Sequence, residues 1–175
     1  DPSAVARYEA DSFWQMPRLG DDVLSEVIEG CCTRGISVVL PTRDGELEFW
    51  ARHCETFAQA GIEVIVSASD AIARCRDKLE FARFGLEANL PVIPVATVPD
   101  VFGDTLLVVK ERFGAGSRGL GLKLSRTAAV EHARNLENPI FQPFVNGPEI
   151  SIDGWVGKDG RVGGVVLRRR DKVVN

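Results

Sequence analysis

The chain has 175 residues, of which 45% are hydrophobic and 26% are charged. This composition predicts a soluble globular protein with a hydrophobic core, and it excludes a membrane-spanning helix because no apolar run approaches about 18 residues. The net charge of −4 excludes a broad attraction to nucleic acid or to an anionic membrane, so a local cluster of donors must hold any anionic ligand.

The cysteine and histidine residues give no sign of a metal site. No two cysteines form a CxxC pair, and the two histidines have no metal-ligand spacing. We therefore predict no metal ligands among them, and reduced thiols buried in the core of a cytoplasmic protein. The cysteines are Cys31, Cys32, Cys54 and Cys75. The chain does not start with Met, which we interpret as the continuation of an upstream segment.

The first third of the chain has the pattern of a parallel β-α-β unit. Residues 36–41 and 62–66 are apolar runs rich in β-branched residues, which predict strands buried on both faces. Between them, an apolar stripe predicts a helix that begins at an Asp44 cap and ends at Gly61. We therefore predict a partial parallel α/β domain over residues 1–70.

The second predicted region, residues 71–175, begins with a helical pattern. Ser69 is a good helix cap, and the sequence after it predicts two helices that meet near Asp77. The helical pattern ends before the proline-bracketed residues 91–99. We interpret this proline segment as a candidate boundary because the pattern changes beyond it.

Strands dominate the remainder of the chain. Residues 105–110 and 120–125 predict two strands, and in the second Leu122 and Leu124 alternate with small or polar residues. The later predicted elements are a helix over residues 127–136, a strand over 139–145, and a β-hairpin over 149–170 that turns at 158–160.

A glycine-rich loop, KERFGAGSRGLG at residues 110–121, joins the first two of these strands. Dense glycines permit positive φ or a close approach to a ligand, and the flanking Lys110 and Arg118 indicate an anion.

A dinucleotide-binding loop needs a helix directly after it, whereas a strand follows here. A Walker A loop needs Lys after its last glycine, but Leu122 follows Gly121. A kinase-type flap has the same strand–loop–strand shape, yet no HRD or DFG motif follows. Only the mechanical idea is retained, which is a mobile hairpin loop whose backbone N–H groups close over phosphates.

Four stretches taken together resemble the ATP-grasp superfamily, particularly the branch similar to the large subunit of carbamoyl-phosphate synthetase and related carboxylate–amine ligases. They are DKLEFARFGLEANLPVIP, LLVVKERFGAGSRGLGL, IFQPFVNGPEISID and the hairpin ending in RRR. Their order and spacing are similar to the family over about residues 70–170. The resemblance implies a fold of the α/β and α+β classes, with a partial pre-ATP-grasp domain over residues 1–70 and an incomplete ATP-grasp domain over 71–175.

The resemblance also implies a nucleotide site. It assigns Lys78 and Lys110 to the ATP phosphates and Glu149 to the ribose hydroxyls. The loop residues that it assigns to the β- and γ-phosphates are Gly114, Gly116, Ser117, Arg118 and Gly119. The residues that it assigns to the adenine base are Gln142, Pro143, Phe144 and Val145. Many family members have Glu where Gln142 stands, but the Gln amide also accepts a hydrogen bond from an exocyclic amine.

Three arginines end the predicted hairpin. Arg168 and Arg170 occupy alternate strand positions and share a face, so they are the candidate catalytic residues that would hold the γ-phosphate or an acyl phosphate, while Arg169 faces away. A solvated edge strand is the alternative explanation. We predict no metal ligands within the chain and expect the carboxylates that hold Mg²⁺ to lie downstream of it, so that the chain alone binds nucleotide without transferring phosphate.

The predicted function is the ATP-binding portion of an ATP-grasp ligase. In the complete protein, ATP and Mg²⁺ would activate a carboxylate as an acyl phosphate, which an amine or similar nucleophile then attacks. The first alternative is a non-catalytic or degenerate ATP-binding module, and the second is a dinucleotide-binding domain. We expect a cytoplasmic protein without nucleic-acid or membrane partners, with homodimer formation kept open, and the pattern does not indicate which carboxylate or amine is used.

Overall fold

The computed structural model describes residues 3–171, so residues 1–2 and 172–175, at the outer ends of the two predicted domains, lie outside the described residues. The chain divides into two compact units. The first extends to Phe81 and includes Phe113–Ala115, and the second comprises Ala82–Arg112 and the chain from Gly116 onward. The domain boundary predicted after residue 70 remains a prediction.

The elements of the first part of the chain are mostly helical. Short 3₁₀ turns occur at Val5–Tyr8, Asp21–Val23 and Asp44–Glu46. The helices are α1 (Leu24–Thr33), α2 (Leu47–Gln59), α3 (Ser69–Arg76) and α4 (Lys78–Glu87), and the strands are β1 (Val38–Val39) and β2 (Glu63–Val64).

The predicted parallel β-α-β unit is confirmed. β1 pairs with β2 in parallel, and α2 connects them. The helix ends before Gly61, whose φ is +79°, as predicted. The Asp44 cap is wrong, because a 3₁₀ turn at Asp44–Glu46 precedes α2 and no side chain caps its first N–H groups.

The core of the first unit lies among α1, α2 and the strands. Its buried residues are Val27, Cys31, Phe49, Trp50, Phe57 and Ile62. Val39 and Val64 pack against this core, whereas Val38 is 52% exposed. The prediction that both strand faces are buried is therefore wrong, because the core covers a single face of this two-stranded sheet. The residues of α1 had no predicted element.

The two helices predicted to meet near Asp77 are confirmed as α3 and α4. Asp77 has an extended backbone between them and its side chain is buried. Its carboxylate Oδ1 accepts hydrogen bonds from the N–H groups of Leu79 (3.0 Å) and Glu80 (3.2 Å). Asp77 therefore caps the start of α4. Ser69 is the first residue of α3 and makes no capping hydrogen bond, contrary to its prediction as a cap.

The second unit contains a three-stranded antiparallel sheet and a separate hairpin. Its elements are a 3₁₀ turn at Pro99–Phe102, β3 (Leu107–Glu111), β4 (Gly121–Leu124), α5 (Arg126–Ala133), β5 (Pro139–Pro143), β6 (Ile150–Val156) and β7 (Val162–Arg169). The sheet order is β4-β3-β5, and β6 pairs with β7. Leu107, Val109 and Phe141 pack against Ala129 of α5, so one face of the three-stranded sheet forms the core.

The loop between two strands and the terminal hairpin are both confirmed. The glycine-rich loop joins β3 to β4, which pair antiparallel. The hairpin turns through residues 157–161, where the Gly157 N–H donates to the Arg161 carbonyl at 2.9 Å and Gly160 has a φ of +77°. The positive φ at Gly160 closes this turn at little steric cost.

The proline segment over residues 91–99 lies inside the second unit. Ala96 and Phe141 of β5 exchange two backbone hydrogen bonds, of 3.0 and 2.8 Å. The segment thus extends the sheet beyond β5, and its interpretation as a boundary is wrong. In the part of the chain that the structure describes, no helix is long and apolar enough to cross a membrane.

Gly30 allows a close contact within the first unit, which can be tested by substitution. A Cβ at Gly30 would lie 2.3 Å from Cζ2 of Trp14. We expect Gly30→Ala to lower the free energy of unfolding by about 1–3 kcal/mol through overpacking, although Ala favours a helix over Gly by about 1 kcal/mol. Urea unfolding measures the change.

The matched control for this prediction is Glu29→Ala in the same helix. Glu29 is exposed, and we expect its substitution to change stability by less than about 0.5 kcal/mol. A Gly30→Ala protein that is more stable than the parent would contradict the packing of Trp14 against α1.

Candidate functional site

The tip of the glycine-rich loop has a left-handed backbone at several positions. The φ angles are +97° at Gly114, +76° at Gly116, +55° at Ser117 and +66° at Gly119. A Cβ at Gly114 or Gly116 would meet nothing within 4 Å, so open space surrounds the tip. Successive N–H groups in such a backbone form concave sites that bind anions. The predicted need for positive φ is thus met at three of the loop glycines and also at Ser117.

Hydrogen bonds and packing hold the two ends of this loop. The Glu111 carboxylate accepts hydrogen bonds from the N–H groups of Glu137 (2.7 Å) and Asn138 (2.9 Å). At the other end, His132 Nε2 donates to the Gly119 carbonyl at 2.8 Å, and a Cβ at Gly119 would lie 2.6 Å from Leu136. Gly119 therefore has a packing role, and the open positions are those nearer the tip.

Lys78 lies at the first position of α4 and contacts the same loop. Its Nζ donates a hydrogen bond to the Gly114 carbonyl at 2.8 Å. The Asp77 cap sets where α4 begins and hence where this ammonium projects. The structure thus brings together two predicted site residues from separate stretches of the sequence.

Lys110 and Gln142 lie on the face of the three-stranded sheet opposite its core. Lys110 pairs with Ile140 and Val108 pairs with Gln142. Because Leu107, Val109 and Phe141 face the core, the alternation of strand side chains directs Lys110 and Gln142 to the other face. Lys110 is half-buried there. The Gln142 Nε2 donates to the Ile93 carbonyl at 3.5 Å, which leaves its Oε1 as an acceptor.

The end of β5 presents backbone groups at its outer edge. Phe141 directs both of its backbone groups to Ala96, so Pro143, two residues later, has the same outward orientation. The backbone groups of Phe144 have the opposite, inward orientation, because its N–H donates to the Leu106 carbonyl at 2.7 Å. The Val145 N–H has no backbone partner among the described residues, and Val145 is 62% exposed. The outward carbonyl of Pro143 is thus followed by the vacant N–H of Val145. Together they offer one hydrogen-bond acceptor and one donor, which is the pair that the edge of an adenine base requires.

Acidic and basic side chains alternate on one face of the β6–β7 hairpin. Arg170 donates to Glu149 Oε1 at 2.6 Å, and Arg168 forms a bidentate pair with Asp153 at 2.5 and 3.1 Å. The hydrogen bond from Arg168 lowers the pKa of the Asp153 carboxyl, and the same bond raises the pKa of Arg168. Arg169 pairs with Asp171 instead. Sequence reasoning had placed Arg168 and Arg170 on one face but had not identified their carboxylate partners.

Sequence reasoning missed Lys123 and misjudged the burial of two cysteines. Lys123 had no predicted role, yet its Nζ lies 5.0 Å from the ring centroid of Phe144. The cysteines are free, but Cys31 alone is buried, and burial raises the pKa of its thiol. The predicted burial of Cys32 and Cys75 is wrong, because both are exposed. Among residues 3–171, no group of three or more Cys, His, Asp or Glu side chains could hold a metal ion.

Known proteins share parts of this fold. Residues 1–65 match the family model described as PylC-like, N-terminal domain. The biotin carboxylase domain of 2-oxoglutarate carboxylase from Hydrogenobacter thermophilus, in complex with MgADP, is similar with a TM-score of 0.64 and 18% identity, over 92% of this chain and 40% of that one. No curated protein sequence matches the chain.

Two further solved structures are similar. Biotin carboxylase from Campylobacter jejuni has a TM-score of 0.58 and 16% identity, over 82% of this chain and 36% of that one. D-alanine–D-alanine ligase from Helicobacter pylori has a TM-score of 0.53 and 13% identity, over 71% and 40%. The chain therefore spans about 40% of the length of these structures.

The chain shares the fold of part of these structures, with an α/β unit in its first third and an antiparallel sheet and a hairpin after it. Its N-terminal 65 residues are similar, more particularly, to the PylC-like N-terminal domain. The predicted fold class and the resemblance to ATP-grasp enzymes are confirmed. The roles of individual site residues remain predictions.

Gly116 can test whether the loop tip binds a ligand through its backbone. Its φ of +76° disfavours a β-branched residue by about 1–2 kcal/mol, whereas Asn adopts this conformation readily. We expect Gly116→Val to weaken Mg·ATP binding by about tenfold and Gly116→Asn to weaken it less. Calorimetric titration gives the affinities.

Thermal unfolding of the same two variants is the control. Because nothing packs against Gly116, the loop of the Val variant can leave the left-handed backbone in the free protein, so we expect both variants to unfold near the parent's temperature. Equal loss of affinity in both variants, or equal loss of stability, would show that the left-handed backbone at this position is not what the ligand requires.

Proposed function

We propose that the chain is the ATP-binding portion of an ATP-grasp ligase in which the complete protein activates a carboxylate as an acyl phosphate and joins it to an amine or similar nucleophile. The observation that supports this most is the outer edge of β5, where the Pro143 carbonyl precedes a vacant Val145 N–H. A cytoplasmic location and a small-molecule carboxylate and amine as substrates belong to the same proposal.

The base end of the proposed site selects adenine by its hydrogen-bonding pattern. The amino group of adenine donates and its N1 accepts, so the base pairs with an outward carbonyl and the N–H two residues later. Pro143 lacks an N–H and therefore cannot present a competing donor at this edge. Gln142 Oε1 offers a second acceptor on the same strand for the exocyclic amine. Phe144 contributes an apolar wall.

The phosphate end lies further along the same sheet. Lys110 pairs with Ile140, three residues before Pro143, which is about 10 Å along β5. An extended nucleotide diphosphate spans such a distance. Charge-assisted hydrogen bonds from Lys110 and the N–H groups of Gly116, Ser117, Arg118 and Gly119 would hold the phosphates. In the first unit, Lys78 and Gly114 keep their predicted phosphate roles.

The hairpin supplies the ribose and acyl-phosphate contacts in this proposal. Arg170 occupies Oε1 of Glu149 and orients the carboxylate, whose other oxygen accepts from the ribose hydroxyls. Arg168 and Arg170 are the proposed catalytic residues that hold negative phosphate oxygens. Bound ATP and Mg²⁺ supply the transferable phosphoryl group and its charge neutralisation. The metal ligands are proposed to lie outside residues 3–171.

Two alternatives differ from this proposal in measurable ways. A non-catalytic ATP-binding module would bind nucleotide equally well, but the complete protein would consume no ATP with any carboxylate. A dinucleotide-binding domain would bind NAD, and it is disfavoured because β4, rather than a helix, follows the glycine-rich loop. The Hydrogenobacter structure is a domain dimer, which supports a homodimer as the assembly.

Calorimetric titration with ATP, ADP and NAD tests the proposed nucleotide. We expect the 175-residue chain to bind ATP and ADP more tightly than NAD, because the outer edge of β5 suits adenine and the loop suits a terminal polyphosphate. NAD binding tighter than ATP binding would overturn the proposal and favour a dinucleotide-binding domain.

Lys110→Ala tests the phosphate end of the site. Removing one charge-assisted hydrogen bond of about 1.5–3 kcal/mol should weaken ATP binding by about 10- to 100-fold. Glu149→Ala should weaken it less, because its ribose partner is neutral. The matched control is Lys158→Ala in the hairpin turn, which should leave the affinity unchanged. If Lys110→Ala and Glu149→Ala lower affinity equally and also lower the unfolding temperature, their roles are structural.

A further inference from the structure

Lys123 has an unusual backbone for a lysine. Its φ is +54°, and it lies in β4 at an irregularity in the pairing with β3. Leu107 pairs with Leu124 and Val109 pairs with Gly121, so Val108 alone lies opposite both Leu122 and Lys123. This is a β-bulge, a feature that redirects a side chain and that is frequent beside functional sites.

The bulge moves Lys123 away from the core. Gly121 and Leu124 pair with the core residues Val109 and Leu107, and Leu124 packs against that core. In a regular strand Lys123 would share the face of Gly121, and Leu124 would lie on the opposite face. The extra residue returns Leu124 to the core and leaves Leu122 51% exposed. The predicted alternation of leucines in this strand is therefore wrong at Leu124.

Packing of Leu124 explains the bulge but not the choice of lysine. Gly or Asn would adopt the left-handed backbone at lower cost than Lys. The Lys123 ammonium instead lies 5.0 Å from the ring centroid of Phe144, directly after β5. A cation–π contact at an exposed position stabilises a fold by no more than the left-handed backbone of a lysine destabilises it, so the contact does not explain the residue through stability. The side chain itself is therefore the reason for lysine at this position.

The contact with Phe144 places the Lys123 ammonium at the opposite end of the sheet from the phosphate site. Lys110 pairs with Ile140, and Phe144 follows Ile140 by four residues, or about 14 Å of strand. Phe144 lies between Pro143 and Val145, whose backbone groups form the proposed base-binding edge. The two lysines thus occupy different ends of an extended nucleotide.

We propose that Lys123 is a further nucleotide-binding residue that contacts the purine base through its ammonium, and that it does not bind the phosphates. This inference rests on the proposed ATP site. The ammonium carries donors alone, and the purine ring nitrogens that β5 does not engage are acceptors. Phe144 and the Lys123 ammonium together form one wall of the base site.

Lys123→Asn and Lys123→Arg separate the ammonium from the backbone. Asn retains the left-handed conformation but removes the cation, whereas Arg retains a cation over Phe144. We expect Lys123→Asn to weaken ATP binding by about three- to tenfold and Lys123→Arg by less than about twofold, with unchanged unfolding temperatures. Calorimetric titration of the 175-residue chain measures both.

Inorganic tripolyphosphate, titrated in competition with ATP, identifies the end of the nucleotide involved. We expect the affinity of tripolyphosphate to be the same for the parent and for Lys123→Asn, or undetectable for both. Lys110→Ala, in contrast, lowers the affinity for ATP. A parallel loss of ATP and tripolyphosphate affinity in Lys123→Asn would assign Lys123 to the phosphates and overturn the inference. Unchanged ATP affinity in Lys123→Asn would overturn it as well. A parent chain that binds no ATP would instead overturn the proposed function and this inference together.

Discussion

The backbone pairing of β5 is the constraint on which the candidate site depends. β5 pairs with β3 on one side, and Phe141 exchanges two hydrogen bonds with Ala96 on the other. These bonds fix which residues face the core and which backbone groups face outward. A shift of one residue would direct Phe141 out of the core and remove the outward carbonyl of Pro143. The hydrophobic core and the proposed base-binding edge are therefore set by the same register.

The sequence could predict the order of the elements because their signals are local. Apolar runs, glycines and the turn at residues 158–160 identify the β-α-β unit, the loop between two strands and the terminal hairpin. The division of the long helical stretch at Asp77 was also predictable, because Asp is a strong helix cap. In contrast, the exposure of Val38 depends on which face of the sheet is covered, and periodicity within one strand does not report this.

The details of the candidate site were less predictable because they depend on pairing between distant segments. The bulge at Lys123 arises from competition between regular alternation and the burial of Leu124 against α5. The bond between Lys78 and Gly114 joins residues 36 positions apart. The carboxylate partner of Arg168 follows from the hairpin register and not from any motif. For these features the sequence restricts the residue types, and the fold determines which of them meet.

Each of the two proposed catalytic arginines has a carboxylate partner. Arg168 uses two N–H groups in a bidentate pair with Asp153, and this bond lowers the pKa of Asp153. Arg170 donates through one nitrogen of its guanidinium to Glu149. Of the five N–H donors of each guanidinium, Arg168 retains three beside its pair with Asp153 and Arg170 retains four beside its bond to Glu149, so either could donate to a phosphate without losing its carboxylate partner. The two arginines therefore differ in how firmly a carboxylate orients them, because Asp153 holds Arg168 through two hydrogen bonds and Glu149 holds Arg170 through one.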